Sequence, residues 1–392
     1  MRSVLMGLLA FLPTATPTED SPRGQYEALA KEFETASKAS IEAYTKATTD
    51  EGRMTASLGR PQPHELAPRF FALAEKYPED PAAIDALTWI ASKCIFGRMS
   101  EKALGILARD YSRSERLETY CGKNSLYGEP FWPYEEMLRA VLKNNPHRGV
   151  RARACVALAA YLKMAKEKTE SHRIRDSLKA GLPRGPESLA NFERITNRGM
   201  DKVAAESSAL FEEVIERYAD VRLENTHPPN AGEFAKGQLF ELRNLVIGAK
   251  APEIEGTDIF GKPMKLSDHR GKVIVLDFGS HRSCGVCRQM YPYLRQLVES
   301  FQGKPVALLG INVDDDVKEL KALSEKGEIS WPIWWDGENL EGPLSAQWVV
   351  RSMPTFYILD HKGVIRNKGF LQPDEIKSTV DMLLAEMSLA KP

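Results

Sequence analysis

The sequence predicts a two-domain protein in which an all-α N-terminal domain, built of helix hairpins, precedes an α/β C-terminal domain. A chain of 392 residues is longer than one hydrophobic core usually organises. Residues 25–246 carry apolar side chains at helical spacing, and no useful stretch alternates with period two. Gly and Pro then occur together in 247–252, and short runs rich in β-branched residues follow. We therefore expect a helical domain over 21–246 and an α/β domain over 247–392.

The charge balance argues against a nucleic-acid-binding protein. The chain has 53 basic and 54 acidic residues, a net charge of −1, and no basic block. No apolar run approaches the roughly 20 residues that a membrane-spanning helix needs. We expect no nucleic-acid partner.

The first twenty residues have the order typical of a secretory signal peptide. Arg2 is followed by an apolar run over 4–12 that only Gly7 interrupts, and small and polar residues come next. The positive region is minimal and no clean cleavage site follows, so a cytoplasmic protein is the alternative. We expect residues 1–20 to be a signal peptide and the protein to be periplasmic or secreted.

Three segments of the helical domain recur at a spacing of 34 residues, namely 74–78, 108–112 and 142–146. Each is expected to end one helix before the next begins, a pattern that resembles the tetratricopeptide repeat. The characteristic Trp, Gly and Ala positions are not filled consistently, so an irregular helical domain is the alternative. The polar segment Glu170–Ser188 contains two Gly and two Pro residues and is expected to be a loop.

The C-terminal domain begins with the pattern of a parallel βαβ unit. Val273–Phe278 is a short, nearly continuous apolar run, as expected for a strand buried on both faces. Apolar residues from Met290 to Phe301, after Cys284, mark one face of a helix, and Val306–Val313 reads as a second buried strand. Thr355–Leu359 and residues 364–368 flank a four-residue turn and predict an antiparallel hairpin, followed by a final helix from Pro373 to about Ser388.

Two of the five cysteines lie close together in the sequence, Cys284 and Cys287, at the predicted start of the helix that follows the first strand. A helix N-terminus stabilises a thiolate. We expect an exposed Cys284 to attack a disulfide and a more buried Cys287, one turn along, to resolve the mixed disulfide. Cys94, Cys121 and Cys155 are expected to be buried and unreactive.

Other uses of a Cys-x-x-Cys pair fit the sequence less well. Zinc needs a second ligand pair, and none has suitable spacing. Covalent haem needs His after the second cysteine, where this chain has Arg288. We expect no metal and no cofactor, and a fixed structural disulfide stays open as the alternative to redox exchange.

Residues 247–372 resemble the thioredoxin superfamily and, within it, the TlpA/ResA-like extracytoplasmic thiol-disulfide oxidoreductases. Besides the cysteine pair, the resemblance rests on motifs that occur in the family's order: 248–252, 258–263, 266–272, 273–278 and 350–355. It implies a thioredoxin fold and exchange with protein disulfides and dithiols. It also suggests a membrane electron donor and an additional helix and strand within 315–349, and we expect Trp331, Trp334 and Trp335 in the core.

The resemblance also assigns roles to residues outside the cysteine pair. Pro354 matches the family's cis-proline, which presents the backbone of Met353 to a partner's extended chain. Asp277 matches a buried acid that accepts the proton of Cys287, although an ordinary buried polar residue is the alternative reading.

This chain departs from the family around the first cysteine. Ser283 stands where the family usually has Trp, and one extra residue separates Phe278 from Cys284, which puts the position of Asp277 in doubt. His281 and Arg282 either add positive charge beside Cys284 or simply face solvent.

Two other functions compete with disulfide exchange. A peroxiredoxin-like (AhpC/TSA) peroxidase shares the lead-in sequence, but its usual Thr or Ser and its Pro fall at His281 and Asp277. A binding module, in which the helical domain recruits a protein partner and the redox domain is accessory, is the alternative from another class.

Overall fold

The computed structural model describes residues 20–94, 97–123, 131–177, 186–224, 228–337 and 339–389. Apart from Asp20, the expected signal peptide lies outside these residues. Within the described ranges, no helix combines the length and hydropathy needed to cross a membrane.

Helices form the described part of the chain before residue 246. They are α1 Pro22–Lys46, α2 Asp50–Leu58, α3 Pro63–Lys76, α4 Pro81–Lys93, α5 Arg98–Asp110, α6 Leu117–Lys123, α7 Trp132–Asn144, α8 Arg148–Ser177, α9 Pro186–Arg198, α10 Met200–Arg217 and α11 Ala231–Asn244. Several helices begin with a proline in their first turn. Proline is tolerated there because the backbone N–H groups of the first turn have no intrahelical acceptor, so the N–H that proline lacks is not needed.

The 34-residue spacing corresponds to the ends of alternate helices. Tyr77, Tyr111 and Asn145 are the C-cap residues of α3, α5 and α7. Tyr111 Oη donates to the carbonyl oxygen of Pro78 (2.7 Å), and Asn145 Nδ2 donates to that of Ser112 (2.8 Å). Equivalent hydrogen bonds thus link successive helix ends, and the prediction that each segment ends a helix is confirmed. The tetratricopeptide assignment stays a prediction.

The expectation of a loop over Glu170–Ser188 is wrong for its first half. Helix α8 continues to Ser177 and α9 begins at Pro186. The segment is polar, but Glu, Arg and Lys are good helix formers, and Lys166 and Glu170 form an i,i+4 ion pair at 2.6 Å. The residues with the strongest breaking tendency, Gly181 and Pro183, lie outside the described ranges.

The described chain divides into two compact units. One ends at Ala154, inside α8, and the other contains the described residues from Cys155 onward. The second unit therefore holds most of α8, helices α9–α11 and the whole C-terminal sheet. The domain boundary at 246/247 stays a prediction.

A five-stranded sheet forms the centre of the C-terminal region. The elements of this region are the hairpin β1 Glu255–Thr257 and β2 Pro263–Lys265, then β3 Val273–Gly279, α12 Gly285–Ser300, β4 Val306–Asn312, α13 Val317–Glu325, β5 Ile333–Trp335, α14 Pro343–Gln347, β6 Thr355–Leu359, β7 Ile365–Gly369 and α15 Pro373–Leu389. The strand order in the sheet is β5-β4-β3-β6-β7. Strands β3, β4 and β5 are parallel, β6 runs antiparallel to them, and β7 pairs antiparallel with β6. The predicted βαβ unit, hairpin and final helix are confirmed, and the topology is that of a thioredoxin fold.

Strand β3 is buried along its whole length, as its apolar sequence predicted. Val273 and Val275 face a core shared with α12 and α15, whereas Ile274 and Leu276 face a second core on the other side of the sheet. Two of the tryptophans expected in the core, Trp331 and Trp334, are buried. The expectation is wrong for Trp335, which is 45% exposed and whose indole N–H donates to the carbonyl oxygen of Asp314 at 2.6 Å.

The sheet brings two loops to the same edge. Phe278 near the end of β3 pairs with Thr355 at the start of β6. Because β3 and β6 are antiparallel, the segment leading from β3 to Cys284 and the segment leading through Pro354 into β6 emerge together. This edge holds the residues that the sequence marks as functional.

Candidate active site

Cys284 and Cys287 form a disulfide at the start of α12, with an S–S distance of 2.05 Å. Cys284 is the N-cap residue, and its Sγ accepts a hydrogen bond from the backbone N–H of Cys287 at 3.1 Å. The positive end of the helix therefore faces the sulfur of Cys284, which is the environment that stabilises a thiolate.

Cys284 is less exposed than the sequence suggested. In the disulfide form it is 8% exposed and Cys287 is 3% exposed. The expectation of an exposed Cys284 is wrong for this form, because its sulfur turns toward the first turn of α12. Val286, between the two cysteines in the chain, is 44% exposed, so an accessible apolar side chain lies beside the disulfide.

Asp277 lies beneath the active-site helix in spite of the extra residue in the loop. It stays in register within β3, opposite Gly310 of β4 and Phe356 of β6, so the loop after β3 absorbs the insertion. A side chain at Gly279 would begin 3.6 Å from both Asp277 Oδ1 and Cys287 Sγ, so these two atoms face the same small space. Burial raises the pKa of Asp277 from its ordinary 3.8 to about 7.

Asp314 holds the loop that leads to Cys284, a role that the sequence reasoning missed. Its carboxylate accepts hydrogen bonds from the backbone N–H groups of His281 (2.8 Å) and Arg282 (3.2 Å) and from the hydroxyl of Ser280. The Ser280 hydroxyl in turn accepts from the backbone N–H of Ser283 at 2.9 Å. Position is the signal that could have found Asp314, since it follows β4 at the edge where β3 also ends.

The two basic residues of the loop before Cys284 have acidic partners. Arg282 forms an ion pair with Asp315 at 2.6 Å, and His281 Nε2 lies 3.4 Å from Glu319. The His281 ring stacks on Tyr291, with their centroids 5.9 Å apart. Acidification of Cys284 by these two residues stays a prediction.

The peptide bond between Met353 and Pro354 is cis, as the resemblance implied. Pro354 is buried, and Met353 is half-buried at the loop surface. Both precede Thr355, at the sheet edge that carries the cysteine pair. The cis geometry is confirmed, and the substrate-binding role of the two residues stays a prediction.

The other three cysteines are free and buried, as expected. Burial raises the pKa of both Cys121 and Cys155 to about 12, which leaves few thiolates at neutral pH. In the described part of the chain, no group of three or more His, Cys, Asp or Glu residues is arranged to hold a metal ion.

Comparison with known proteins finds similarity over the same region. Residues 247–368 match the family model described as AhpC/TSA family. Thiol-disulfide oxidoreductase ResA of Geobacillus thermodenitrificans is 26% identical over 145 residues, covering 36% of this chain and 81% of that protein. Thioredoxin-like protein YneN of Bacillus subtilis is 29% identical over 140 residues, covering 34% and 79%.

Solved structures align with the same third of the chain. The thioredoxin domain of a thiol-disulfide oxidoreductase from Bacteroides vulgatus is 24% identical, with a TM-score of 0.33, and the alignment covers 36% of this chain and 99% of that one. A thiol:disulfide interchange protein from Bacteroides sp. is 26% identical, with a TM-score of 0.30 and coverage of 36% and 91%. The fold, the cysteine pair and the family match together identify the C-terminal region of this chain as a thioredoxin-like domain, similar over residues 247–368 to the AhpC/TSA family.

Proposed function

We propose that this protein is a thiol-disulfide oxidoreductase that exchanges disulfides with partner proteins through Cys284 and Cys287. The observation that carries the proposal is the position of the pair. Cys284 caps the helix, Cys287 lies one turn along, and a buried carboxyl shares the space around the Cys287 sulfur. This arrangement supplies a stabilised thiolate, a resolving thiol and a proton acceptor.

Written for the reduced protein, the reaction has two displacement steps. The Cys284 thiolate attacks one sulfur of the partner's disulfide, forming a mixed disulfide and releasing the partner's first thiolate. The Cys287 thiol then loses its proton and attacks Cys284 Sγ, which releases the partner's second thiolate. Two electrons pass from the cysteine pair to the partner, and the pair ends as a disulfide; the reverse sequence oxidises a partner dithiol.

Asp277 is the proposed acceptor of the Cys287 proton. A carboxyl with a pKa of about 7 both gains and loses a proton near neutral pH, which suits a group that serves both directions of exchange. The buried position that raises its pKa also keeps it near the less exposed of the two sulfurs.

Proteins are the proposed substrates because of the segment beside the pair. Met353 and Pro354 emerge at the same sheet edge as Cys284, where the resemblance assigns them to binding an extended chain. The curated relatives that share this third of the chain bear the names of thiol-disulfide oxidoreductases or thioredoxin-like proteins.

The first test is the reduction potential of the pair in the full-length protein, equilibrated in glutathione or dithiothreitol buffers. A reduction potential of about −270 mV would assign the protein to the reduction of partner disulfides. A potential of about −120 mV would assign it to their formation. Absence of a two-electron couple would overturn the proposal.

The second test traps the intermediate. Cys287→Ser, prepared reduced and mixed with insulin, should form a mixed disulfide visible on a non-reducing gel, because the resolving thiol is missing. Cys284→Ser should form far less, and Cys121→Ser, a buried free cysteine, should behave as the wild type. Equal trapping by both active-site variants would contradict the assigned roles.

The AhpC/TSA family match favours one second candidate, a thiol peroxidase that uses Cys284. Its test is consumption of hydrogen peroxide by the pre-reduced protein, compared with Cys284→Ser. Turnover of peroxide faster than reduction of insulin would make peroxidase the better assignment.

We also propose that the protein works outside the cytoplasm with a membrane electron donor, and that its helical domain binds a protein partner. The order of charges and apolar residues over 1–20 and the ResA-like resemblance support the first point. Cleavage within the first thirty residues on expression in a bacterial host, read by N-terminal sequencing of the periplasmic fraction, tests the location outside the cytoplasm.

A pulldown with the full-length Cys284→Ser protein tests whether the helical domain holds a partner without disulfide exchange.

A further inference from the structure

The segment Val349–Pro354, here called the Pro354 loop, is held by a helix outside the thioredoxin-like domain. The guanidinium carbon of Arg351 lies 4.7 Å from the ring centroid of Phe234 on α11. With the side-chain amide of Gln238 oriented so that its oxygen faces Arg351, Gln238 Oε1 accepts hydrogen bonds from Arg351 Nη2 at 2.7 Å and from Nε at 3.2 Å. Phe234 and Gln238 are four residues apart, so one face of α11 holds Arg351 through both contacts.

A second connection joins the helices to β7, which lies beside the strand that follows the loop. Lys368 Nζ lies 2.9 Å from Glu167 on α8 and 3.2 Å from Glu241 on α11. Lys163 contacts the same two carboxylates at 3.2 Å and 2.9 Å, so the four charges alternate around one cluster. The side chains are 10–26% exposed. Burial alone would raise the pKa of Glu167, but the two ammonium groups lower it to about 2.

The Pro354 loop begins with an unusual backbone conformation. Its first residue, Val349, has φ of 51°, in the left-handed region. A β-branched side chain disfavours this conformation, which persists only where the surroundings enforce it.

The loop, α8 and α11 together enclose a cleft of about 250 Å³. Its lining includes Met164 and Gln238 from the helices, and Val350, Ser352, Thr355 and Gly369 from the thioredoxin fold. Ser352 and Thr355 flank Met353 and Pro354 in the chain, so the helices form a wall beside the proposed substrate-binding residues.

We infer that α8 and α11 position the Pro354 loop for protein substrates, so that residues of the helical region determine how well a partner's extended chain is bound. The inference rests on the proposed disulfide exchange and adds a positioning role for Phe234 and Gln238. The chemistry of the cysteines has a separate support, because Asp314 holds the loop that leads to Cys284. Loosening the Pro354 loop therefore affects protein disulfides and spares small ones, which need no extended-chain contact.

The experiment compares two oxidants of the reduced full-length protein, insulin and the small aromatic disulfide 5,5′-dithiobis(2-nitrobenzoate). Phe234→Leu keeps an apolar side chain and removes the aromatic face, and Arg351→Gln, at an exposed position, removes the other half of the contact. Phe240→Leu is the matched control, since it makes the same substitution at a 39% exposed position of the same helix. The reduction potential of each variant is measured alongside.

We expect kcat/KM for insulin to fall about three- to tenfold in Phe234→Leu and in Arg351→Gln, through a higher KM. The double variant should lose no more than Arg351→Gln alone, because that substitution already removes the contact with Phe234. The rate with the small disulfide, the reduction potential and the Phe240→Leu protein should stay as in the wild type.

Three results would overturn the inference: unchanged insulin kinetics in Arg351→Gln, an equal fall with both disulfides, or full additivity of the two substitutions. Arg351→Gln decides the matter if Phe234→Leu does not fold. A wild-type protein without a two-electron couple would instead refute the proposed function, so the two failures are distinguishable.

Discussion

Replacing Asp277 by Asn should stabilise the oxidised protein by an amount that grows with pH. The folded-state pKa of Asp277 is about 7, raised by burial from an ordinary 3.8. Below pH 3.8 the carboxyl is neutral in both the folded and the unfolded state. As the pH rises toward 7, the unfolded chain ionises while the folded protein keeps its proton, so the wild type loses stability over this window and reaches the full loss above pH 7.

The magnitude follows from the size of the shift. A difference of about three pKa units corresponds to about 4 kcal/mol at 1.36 kcal/mol per unit. The free energy of unfolding of Asp277→Asn, relative to the wild type, should therefore increase by about 4 kcal/mol between pH 4 and pH 8.

The assay is urea unfolding of the oxidised full-length proteins at half-unit pH intervals, followed by tryptophan fluorescence. Four of the six tryptophans lie between residues 331 and 348, so the signal reports mainly on the thioredoxin-like domain. Asp381→Asn, which removes a surface carboxylate paired with Lys377 at 2.6 Å, is the matched control and should change stability little at any pH. A difference between Asp277→Asn and wild type that is constant across the pH range would refute the reasoning.

Three further substitutions test other parts of the structure. Asp314→Asn should destabilise the oxidised protein by about 1.5–3 kcal/mol in urea unfolding, because it replaces a charged acceptor of two backbone N–H groups. The control Asp315→Asn, at a surface ion pair, should lower stability by under about 1 kcal/mol. Equal losses of stability in the two variants would contradict the role of Asp314 in holding the loop. Phe356→Ala empties a fully buried position and should cost about 3–5 kcal/mol in the same measurement, so a cost below about 1 kcal/mol would show that the position is not packed as described. Asn145→Ala removes two hydrogen bonds between helix ends and should lower the stability of the helical unit by about 1–3 kcal/mol, read by circular dichroism at 222 nm. An unchanged stability of Asn145→Ala would show that these hydrogen bonds do not hold the helix ends together.

Much of the C-terminal fold could be predicted because its signals are local. A continuous apolar run such as 273–278 predicts a buried strand, and the four-residue turn at 360–363 predicts a hairpin. The position of Cys284 at a helix start follows from the same reasoning, since the strand before it and the periodicity after it leave one place for the helix to begin.

Prediction failed where local chemistry and structure disagree. Polarity over 170–177 suggested a loop, but polar residues with high helix propensity continue α8 through it. Cys284 was expected to be exposed, since nothing in a sequence shows that its sulfur turns back toward the N–H of Cys287.

The sequence by itself determined which residues are the candidates for the chemistry, because cysteine spacing, strand periodicity and turn residues can be read from neighbouring positions in the chain. Only the tertiary structure decided what surrounds them. The elevated pKa of Asp277 requires burial between neighbouring strands. The hydrogen bonds from residues 280–282 to Asp314 join positions more than 30 residues apart. The contacts of Arg351 and Lys368 with α8 and α11 join positions more than 100 residues apart. Such long-range contacts leave no periodic signal, because they depend on how distant elements pack and not on the spacing of residues within one element.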